Sequence, residues 1–280
     1  MSYFYKILIY LLLFSVKAIG AELRSGTNLK TLPEPQEGRI DTNGKFVPPG
    51  NELPSGASSG QPQRKDDTLF QPNRVQDLGG GRLAIGEVVA NATTREISFP
   101  AQVNMRTGPL EYALVHANGK IHESLFKTAV RPEDIHLAAL LLGMKPQQAS
   151  VELDQELVIP SQGAIQMEVG WKKHGPNARY PLEALILKKP TSPDFQGKGK
   201  AKLAEGSWHY NGSSFHRGRF LASQEGSIIA LIPDQSALIN NPRPGRMNDE
   251  GHSPNTELLP ELEKNVTITF HLPKPEKSTP

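Results

Sequence analysis

The sequence predicts an α+β domain that is predominantly antiparallel β, with one buried helix at about residues 132–142. Apolar and polar residues alternate over 165–171 and 266–272, as they do in strands with one buried face. The helix is indicated by Pro132 at its first position, acidic residues in its first turn, and Gly143 after its end. Its apolar residues run nearly all round, so we expect it to be buried against the sheet.

Several shorter β-prone runs lie between turn residues and predict further strands. They cover residues 83–89, 96–103, 110–116, 184–188, 207–210, 219–222 and 228–232. Asn118-Gly119 is typical of a two-residue hairpin turn, so the segments on either side of it should pair antiparallel. Residues 234–264 are rich in Asn, Pro, Gly and acidic residues and are expected to form a long loop.

The N-terminus has the three parts of a cleavable signal peptide, predicted over residues 1–20. Lys6 precedes an apolar run at 7–16, and small residues follow at 18–20. A membrane-spanning helix needs about 20 apolar residues, so a removed signal is favoured over an anchor. Cleavage is expected after Gly20, with Ala21 as the next choice and an uncleaved interfacial helix as the alternative.

The remaining chain divides by composition into three parts. Residues 21–81 are dominated by Pro, Gly, Ser, Gln and charge and cannot bury enough apolar area to fold, which predicts a disordered linker. Residues 82–273 form the predicted β-rich domain. Residues 274–280 are predicted to be a disordered tail.

The composition also limits cofactors and partners. The chain has no Cys, which excludes an iron–sulfur cluster, disulfides and a lipid-anchored Cys. Export without disulfides suits the bacterial envelope, so a periplasmic or extracellular location is predicted. Loss of Lys6 and Lys17 with the signal leaves 29 basic and 29 acidic residues. A neutral mature chain gives no electrostatic reason to expect nucleic acid, and no stable membrane insertion is expected after signal cleavage.

The densest cluster of polar chemistry lies at 119–125 and in the helix that follows. If 121–125 is a regular strand, Glu123 shares the face of two apolar neighbours, while His122 and Ser124 share the other face. A carboxylate on a core face needs a partner or a proton. His136 in the helix could provide it, although separate backbone partners for the two groups are the alternative.

A metal site is a weaker interpretation of the same residues. His122, Glu123 and His136 are acceptable ligands for a divalent metal. Neighbouring strand residues point in opposite directions, however, so His122 and Glu123 share one ion only if the strand bulges. Phe126 also stands where a zinc-protease HExxH motif has its second His. No cofactor is therefore expected, with a divalent metal as the alternative.

A second polar cluster lies in the late loop. Oxygen-rich loops can bind calcium, but the spacing here does not match an EF-hand. A solvated loop is the favoured interpretation. The cluster contains Asp234, Asn240, Asn241, Arg243, Asn248, Asp249, Glu250 and His252.

Two long stretches of the chain resemble the YdjY domain of bacterial envelope proteins. The first contains Leu110-Glu111-Tyr112, Gly119-Lys120-Ile121-His122-Glu123-Ser124-Leu125 and Pro132-Glu133-Asp134-Ile135-His136-Leu137-Ala138; the second contains Trp208, Gly218-Arg219-Phe220, Ile228-Ile229-Ala230-Leu231, Ala237-Leu238-Ile239-Asn240 and Pro242. The resemblance implies an exported domain of unassigned function. Its motif is matched by Lys120, His122, Glu123, Ser124 and His136. A ferredoxin-like label carried by some members does not transfer to a chain without Cys.

Two main hypotheses for function follow. The favoured one is a non-catalytic envelope module that binds a small ligand or an envelope protein around His122, Ser124, His136 and the late loop. The alternative is a metal-dependent envelope hydrolase in which His122, Glu123 and His136 hold the metal or act as acid and base. A purely structural spacer domain is a third possibility, in which the polar cluster is part of the core.

Overall fold

The computed structural model describes residues 39–40, 46–47, 75–147, 157–172, 177–189 and 201–274. The predicted signal peptide, most of the predicted linker and all but one residue of the predicted tail lie outside these ranges. The chain divides into two units, residues 1–65 and 66–280. In the first unit, the short strands β1 (Arg39–Ile40) and β2 (Phe46–Val47) pair antiparallel.

The second unit contains the other described strands and both described helices. The strands are β3 (Val75–Gly79), β4 (Arg82–Ile85), β5 (Val88–Asn91), β6 (Glu96–Val103), β7 (Tyr112–His116), β8 (Ser124–Thr128), β9 (Ala164–Trp171), β10 (Ala178–Pro181), β11 (Ile186–Lys188), β12 (Ala201–Lys202), β13 (Trp208–Tyr210), β14 (Phe215–His216), β15 (Arg219–Phe220), β16 (Ser227–Ala230), β17 (Ile239–Asn240), β18 (His252–Pro254) and β19 (Asn265–His271). The helices are α1 (Pro132–Leu141) and α2 (Leu221–Glu225). Neither helix has the length and apolar character that a membrane span needs, among the residues the structure describes.

Eight strands close into a barrel, which the sequence did not predict. They follow one another in the order β6, β19, β9, β13, β17, β16, β7 and β8, and β8 pairs with β6 again. The closure depends on β19, where Ile268 lies opposite Phe99 of β6 on one edge and Val169 of β9 on the other. Val266, Ile268 and Phe270 of β19 are buried, as the alternating pattern predicted. The predicted antiparallel emphasis is consistent with the fold, since only β7–β8 and β16–β17 are parallel among these eight pairs.

The remaining strands of this unit either extend the barrel sheet or form two small sheets of their own. β3, β4 and β5 extend from β6 as successive antiparallel strands. β10 pairs with β9, β11 pairs with β12 and β18, and β14 and β15 form a separate ribbon. The predicted strand 83–89 is divided by a turn into β4 and β5, and β3 falls within the segment predicted to be linker.

The predicted hairpin at Asn118-Gly119 is wrong, because β7 and β8 pair parallel, with Tyr112 opposite Ser124. The amide of Gly119 donates to the carbonyl of His116 at 2.7 Å, which turns the chain without pairing the strands. A 3-10 turn, Ile121–Glu123, then returns the chain to the start of β8. The regular strand expected over 121–125 therefore begins only at Ser124.

Gly119 also packs against Gly226, which follows α2. A Cβ added to Gly226 would lie 2.6 Å from the Cα of Gly119, and Gly226 has a φ of +74°. The carbonyl of Gly226 accepts a hydrogen bond from the amide of His116 at 2.8 Å. This close backbone approach fixes the turn after β7 against the start of β16.

Helix α1 agrees with the predicted position but is not buried all round. It packs on β4, β5 and β6 through Ile135, Ala138 and Ala139, whereas Leu140 is 42% exposed. A second helix, α2, occupies part of the segment 219–222 that was predicted to be a strand. Likewise, the predicted strand 184–188 begins in a 3-10 turn, and only Ile186–Lys188 is extended.

Candidate functional site

Ser124, one of the predicted site residues, is a structural side chain. It is fully buried at the start of β8. Its hydroxyl donates to the carbonyl of Phe126 at 2.7 Å, and its own carbonyl accepts from the side-chain amide of Asn104 at 2.8 Å. The hydroxyl therefore stabilises the strand from within the core.

His136 is held inside the domain by aromatic neighbours. Its Nδ1 lies 2.8 Å from the hydroxyl of Tyr210, and its ring lies 5.1 Å from that of Phe220. Burial lowers the pKa of His136 to about 4, against the opposing charge of Glu133, and burial raises the pKa of Tyr210. The two side chains therefore form a neutral hydrogen bond between α1 and β13.

His122 and Glu123 lie at the surface, because Ile121–Glu123 is a 3-10 turn and not a strand. The His122 side chain is 77% exposed and its Nε2 lies 3.6 Å from Oε2 of Glu123, which is 20% exposed. Ile121 is 39% exposed. The expectation of a core face at Ile121 is therefore wrong.

The structure does not bring Glu123 and His136 together. Glu123 interacts with His122 and Glu111, whereas His136 interacts with Tyr210. Among the described residues, no three His, Asp or Glu side chains are arranged to hold a metal ion. The shared metal site proposed for His122, Glu123 and His136 is thus not assembled.

Lys120 is positioned by a buried tyrosine that the sequence analysis did not select. Its ammonium donates to the hydroxyl of Tyr112 at 2.8 Å, and that hydroxyl donates to Oδ2 of Asp234 at 3.0 Å. Tyr112 is only 1% exposed and packs with Ala230 and Ala237. Burial raises the pKa of Tyr112 to about 12, although the Lys120 hydrogen bond acts in the opposite direction.

The electrostatics keep Lys120 charged. Burial acts to lower its pKa, but the hydrogen bond to Tyr112 and the negative charges of Asp234 and Glu123 outweigh burial and raise the pKa. Asp234 is fixed in turn, since its Oδ1 accepts from the amide of Ser236 at 2.8 Å. The ammonium is therefore held in one place at the barrel end.

Glu111 completes this group from the residue preceding β7. Its amide donates to the carbonyl of Glu123 at 3.0 Å, and its carboxyl group interacts electrostatically with that of Glu123. Burial raises the pKa of Glu111, the nearby charge of Glu123 raises it further, and Lys120 opposes both. We call Glu111, Tyr112, Lys120, Glu123 and Asp234 the Lys120 cluster. Glu111 and Tyr112 belong to Leu110-Glu111-Tyr112, a segment that carried part of the family resemblance. That resemblance was the available sequence signal for these two residues.

The late loop is not generally solvated, so that expectation is wrong for half of its polar cluster. Asn240, Asn241, Arg243 and His252 are all buried. Asn240 accepts from the amide of Asp234 at 2.9 Å and donates to the side chain of Asn211 at 2.8 Å. These hydrogen bonds fix the turn at Asp234.

Arg243 forms a buried ion pair with a residue outside the loop. Its Nη2 lies 2.7 Å from Oε1 of Glu183, and its guanidinium lies 4.8 Å from the ring of Trp208. Trp208 also donates to Glu183 at 2.8 Å. The late loop is thereby attached to the barrel through β13.

A family model described as the YdjY domain matches residues 88–271. The chain belongs to the YdjY-domain family. The matched range begins at the first residue of β5 and ends at the last residue of β19. All eight barrel strands and the whole Lys120 cluster therefore lie within the YdjY domain, and the resemblance seen in the sequence is confirmed. Comparisons with curated proteins and with solved structures find no match.

Proposed function

We propose that this YdjY-domain protein is an exported, non-catalytic module of the bacterial envelope. It binds a small ligand or partner that presents a cationic amine to the Lys120 cluster. The carrying observation is the side-by-side placement of two acidic residues: the amide of Glu111 donates to the carbonyl of Glu123 at 3.0 Å, and the charge of Glu123 raises the pKa of the Glu111 carboxyl. Two carboxylates placed side by side repel each other, and an ammonium group bound between them relieves that repulsion and forms charge-assisted hydrogen bonds.

The charge balance of the cluster supports a cationic ligand. Three carboxyl groups, from Glu111, Glu123 and Asp234, surround one ammonium group, that of Lys120. The Lys120 ammonium is already hydrogen-bonded to Tyr112. Binding of a second cation would therefore bring the cluster closer to neutrality.

The cluster is also rigid, which favours binding. The backbone of Glu111 is hydrogen-bonded to that of Glu123, and the side chain of Lys120 is hydrogen-bonded to the buried Tyr112. Side chains that are already ordered lose less conformational entropy when a ligand binds. The exposed His122 lies at the rim, where its ring is available for a further contact.

Backbone amide NMR of the mature chain tests the proposal with three small probes. Alaninamide carries only a cation, acetate carries only an anion, and alanyl-alanine carries both. We expect alaninamide and alanyl-alanine to shift the amides of Glu111, His122 and Glu123, and acetate to leave them unchanged.

The Glu123→Gln variant removes the paired charge and should weaken alaninamide binding roughly tenfold, since a charge-assisted hydrogen bond is lost. Glu87→Gln is the matched control, because Glu87 is an exposed glutamate in the turn between β4 and β5. Shifts with acetate equal to those with alaninamide, or equal weakening by both variants, would refute the amine site.

The envelope location needs a separate experiment. The full chain is expressed in a bacterium, the periplasmic and cytoplasmic fractions are separated, and the N-terminus of the product is sequenced. We expect a periplasmic product that begins at Ala21, or at Glu22 if cleavage follows Ala21. A cytoplasmic product that retains residues 1–20 would contradict export.

A further inference from the structure

The β14–β15 ribbon projects a compact group of exposed residues from the domain. Six consecutive residues, 214–219, are exposed, and the Phe215 side chain is among them at 57% exposure. We call these six residues the ribbon tip. The turn is formed by Arg217 and Gly218, both with positive φ values of 50° and 77°, as in a tight two-residue β-turn.

The ribbon tip is firmly attached at its base. Phe215 lies opposite Phe220 across the ribbon, with ring centroids 5.1 Å apart, and Phe220 is buried against His136. The hydroxyl of Ser213 accepts from the amide of Ala222 and donates to the carbonyl of Ser236. The exposed aromatic ring is therefore held outward by a rigid base.

The charge of the ribbon tip is positive and locally unbalanced. It contains Arg217 and Arg219 together with His216, and the chain has no Asp or Glu from residue 206 to residue 224. Within the described part of the chain, no ion pair includes Arg217 or Arg219. His216 and Arg219 lie opposite each other across the ribbon, so their side chains share one face.

We propose that the ribbon tip docks reversibly on a lipid bilayer that carries anionic headgroups. The two arginines would contact the phosphates, while the ring of Phe215 would enter the region between headgroups and acyl chains. Exposed aromatic and basic residues side by side are the combination that binds such interfaces. This contact involves no insertion of a spanning segment, and it does not depend on the Lys120 cluster.

The size and shape of the ribbon tip favour a bilayer over a folded protein. A stable protein interface uses about 20–30 residues on each side, whereas the ribbon tip offers six exposed residues at a convex turn. A bilayer surface is deformable and can surround a small projection. Since the mature chain as a whole is neutral, the attraction has to come from this local excess of positive charge.

Sedimentation of the mature chain with lipid vesicles tests the proposal. We expect binding to vesicles of phosphatidylethanolamine with phosphatidylglycerol, and little binding to vesicles of phosphatidylethanolamine with phosphatidylcholine. Arg219→Gln and Phe215→Ala should each weaken binding to the anionic vesicles, by roughly fivefold for the arginine. Added salt should weaken the binding as well, because exposed charges are screened.

Two variants serve as matched controls at other exposed sites. Arg82→Gln removes an exposed arginine from β4, and Leu262→Ala removes a side chain that is 54% exposed. Both should leave vesicle binding unchanged, and all four variants should keep the melting temperature of the parent. Equal losses in the control variants, or equal binding to both vesicle types, would refute the proposal. Binding to a soluble anionic polysaccharide such as alginate without binding to vesicles would also refute it and would identify a polymer as the partner.

Discussion

Nδ1 of His136 lies 2.8 Å from the hydroxyl of Tyr210, and this hydrogen bond joins helix α1 to strand β13 of the barrel. Both groups are largely removed from water, and Phe220 packs against the imidazole ring. The hydroxyl donates to a neutral ring, because burial lowers the pKa of His136 to about 4. Protonation of this ring would place a buried charge between the helix and the sheet, which the charge of Glu133 only partly offsets.

The first prediction is a loss of stability in mild acid that depends on His136. Its pKa falls from about 6.5 in the unfolded chain to about 4 in the folded protein. Because the unfolded chain then binds the proton more readily, the stabilisation is complete above the unfolded pKa and is lost as the pH falls from about 6.5 to 4. The loss from this residue should approach about 3 kcal/mol.

Urea unfolding followed by tryptophan fluorescence at neutral and mildly acidic pH measures this loss. His136→Gln should reduce the difference in unfolding free energy between the two pH values, and His122→Gln, at the exposed 3-10 turn, should not. If His136→Gln keeps the full acid dependence of the parent, the lowered pKa is wrong. Other titrating groups are common to all three proteins and cancel in the comparison.

The second prediction concerns His252, which is 1% exposed. Neither of its ring nitrogens has a hydrogen-bond partner among the described residues. Burial, together with the charges of Lys188 and Arg243, lowers its pKa to about 4. His252→Leu replaces an unsatisfied polar ring by an apolar side chain, so the unfolding free energy at neutral pH should stay the same or rise.

The comparison for His252→Leu is His209→Leu. His209 is also 1% exposed, but its Nε2 lies 2.7 Å from the carbonyl of Gln147. Loss of this hydrogen bond should destabilise the protein by about 1–3 kcal/mol. Equal destabilisation in both variants, measured by urea unfolding at neutral pH, would show that the His252 ring has a polar partner.

The third prediction is that the ion pair between Arg243 and Glu183 supports the late loop. Arg243→Met leaves the buried carboxylate without its cation and should cost about 3–5 kcal/mol. Lys189→Met, which breaks the exposed pair with Glu250, should cost at most about 1 kcal/mol. The double variant Arg243→Met with Glu183→Gln should cost less than the sum of the single variants, and strict additivity would argue against the pair.

The fourth prediction separates the cost of a positive φ from the cost of a steric clash at Gly226, in the turn beside β7. Gly226→Ala introduces a Cβ at a positive φ and 2.6 Å from Gly119. Gly143→Ala, after helix α1, also has a positive φ, but its Cβ would meet nothing within 4 Å. Gly143→Ala should therefore cost about 1–2 kcal/mol, and Gly226→Ala should cost about 1–3 kcal/mol more. Equal losses on thermal or urea unfolding would mean that the turn moves away freely.

The elements that could be predicted are those whose own residues carry the pattern of a strand or a helix. The alternation over 266–272 predicted β19, and the residues from Pro132 to Gly143 predicted α1. The closure of the barrel was not predictable in this way, because β19 has the same residue pattern whether it lies at an edge or between two strands. Closure depends on which strands pair, and that is set by contacts distant in sequence.

The candidate site shows a similar division. The residue types at Lys120 and Glu123 were recognised, but their surroundings depended on the strand direction after Asn118-Gly119. A two-residue turn signal describes local backbone preference, and the contact between Gly119 and Gly226 overrode it. Glu111 and Tyr112 were missed because a strand residue and the residue before it show no sign, in sequence, of lying beside a lysine eight or nine positions later.

The late loop shows why polar composition is a weak guide to burial. Asn240 and Arg243 were expected in solvent because polar side chains usually remain there. In the fold they form hydrogen bonds with Asn211 and Glu183, which lie on distant parts of the chain. The energetic cost of burying them is offset by partners that no local pattern identifies.

The strand that closes the barrel is also the last described strand of the chain, and this has a consequence for biosynthesis. Until residues 265–271 have been made, β6 and β9 each present an unpaired edge that can recruit strands from other chains. Closure of the barrel must therefore wait until residues 265–271 have emerged from the ribosome. A product truncated before β19 would keep both edges unpaired. Before β19 is made, a chaperone that binds nascent chains would be most needed to prevent aggregation.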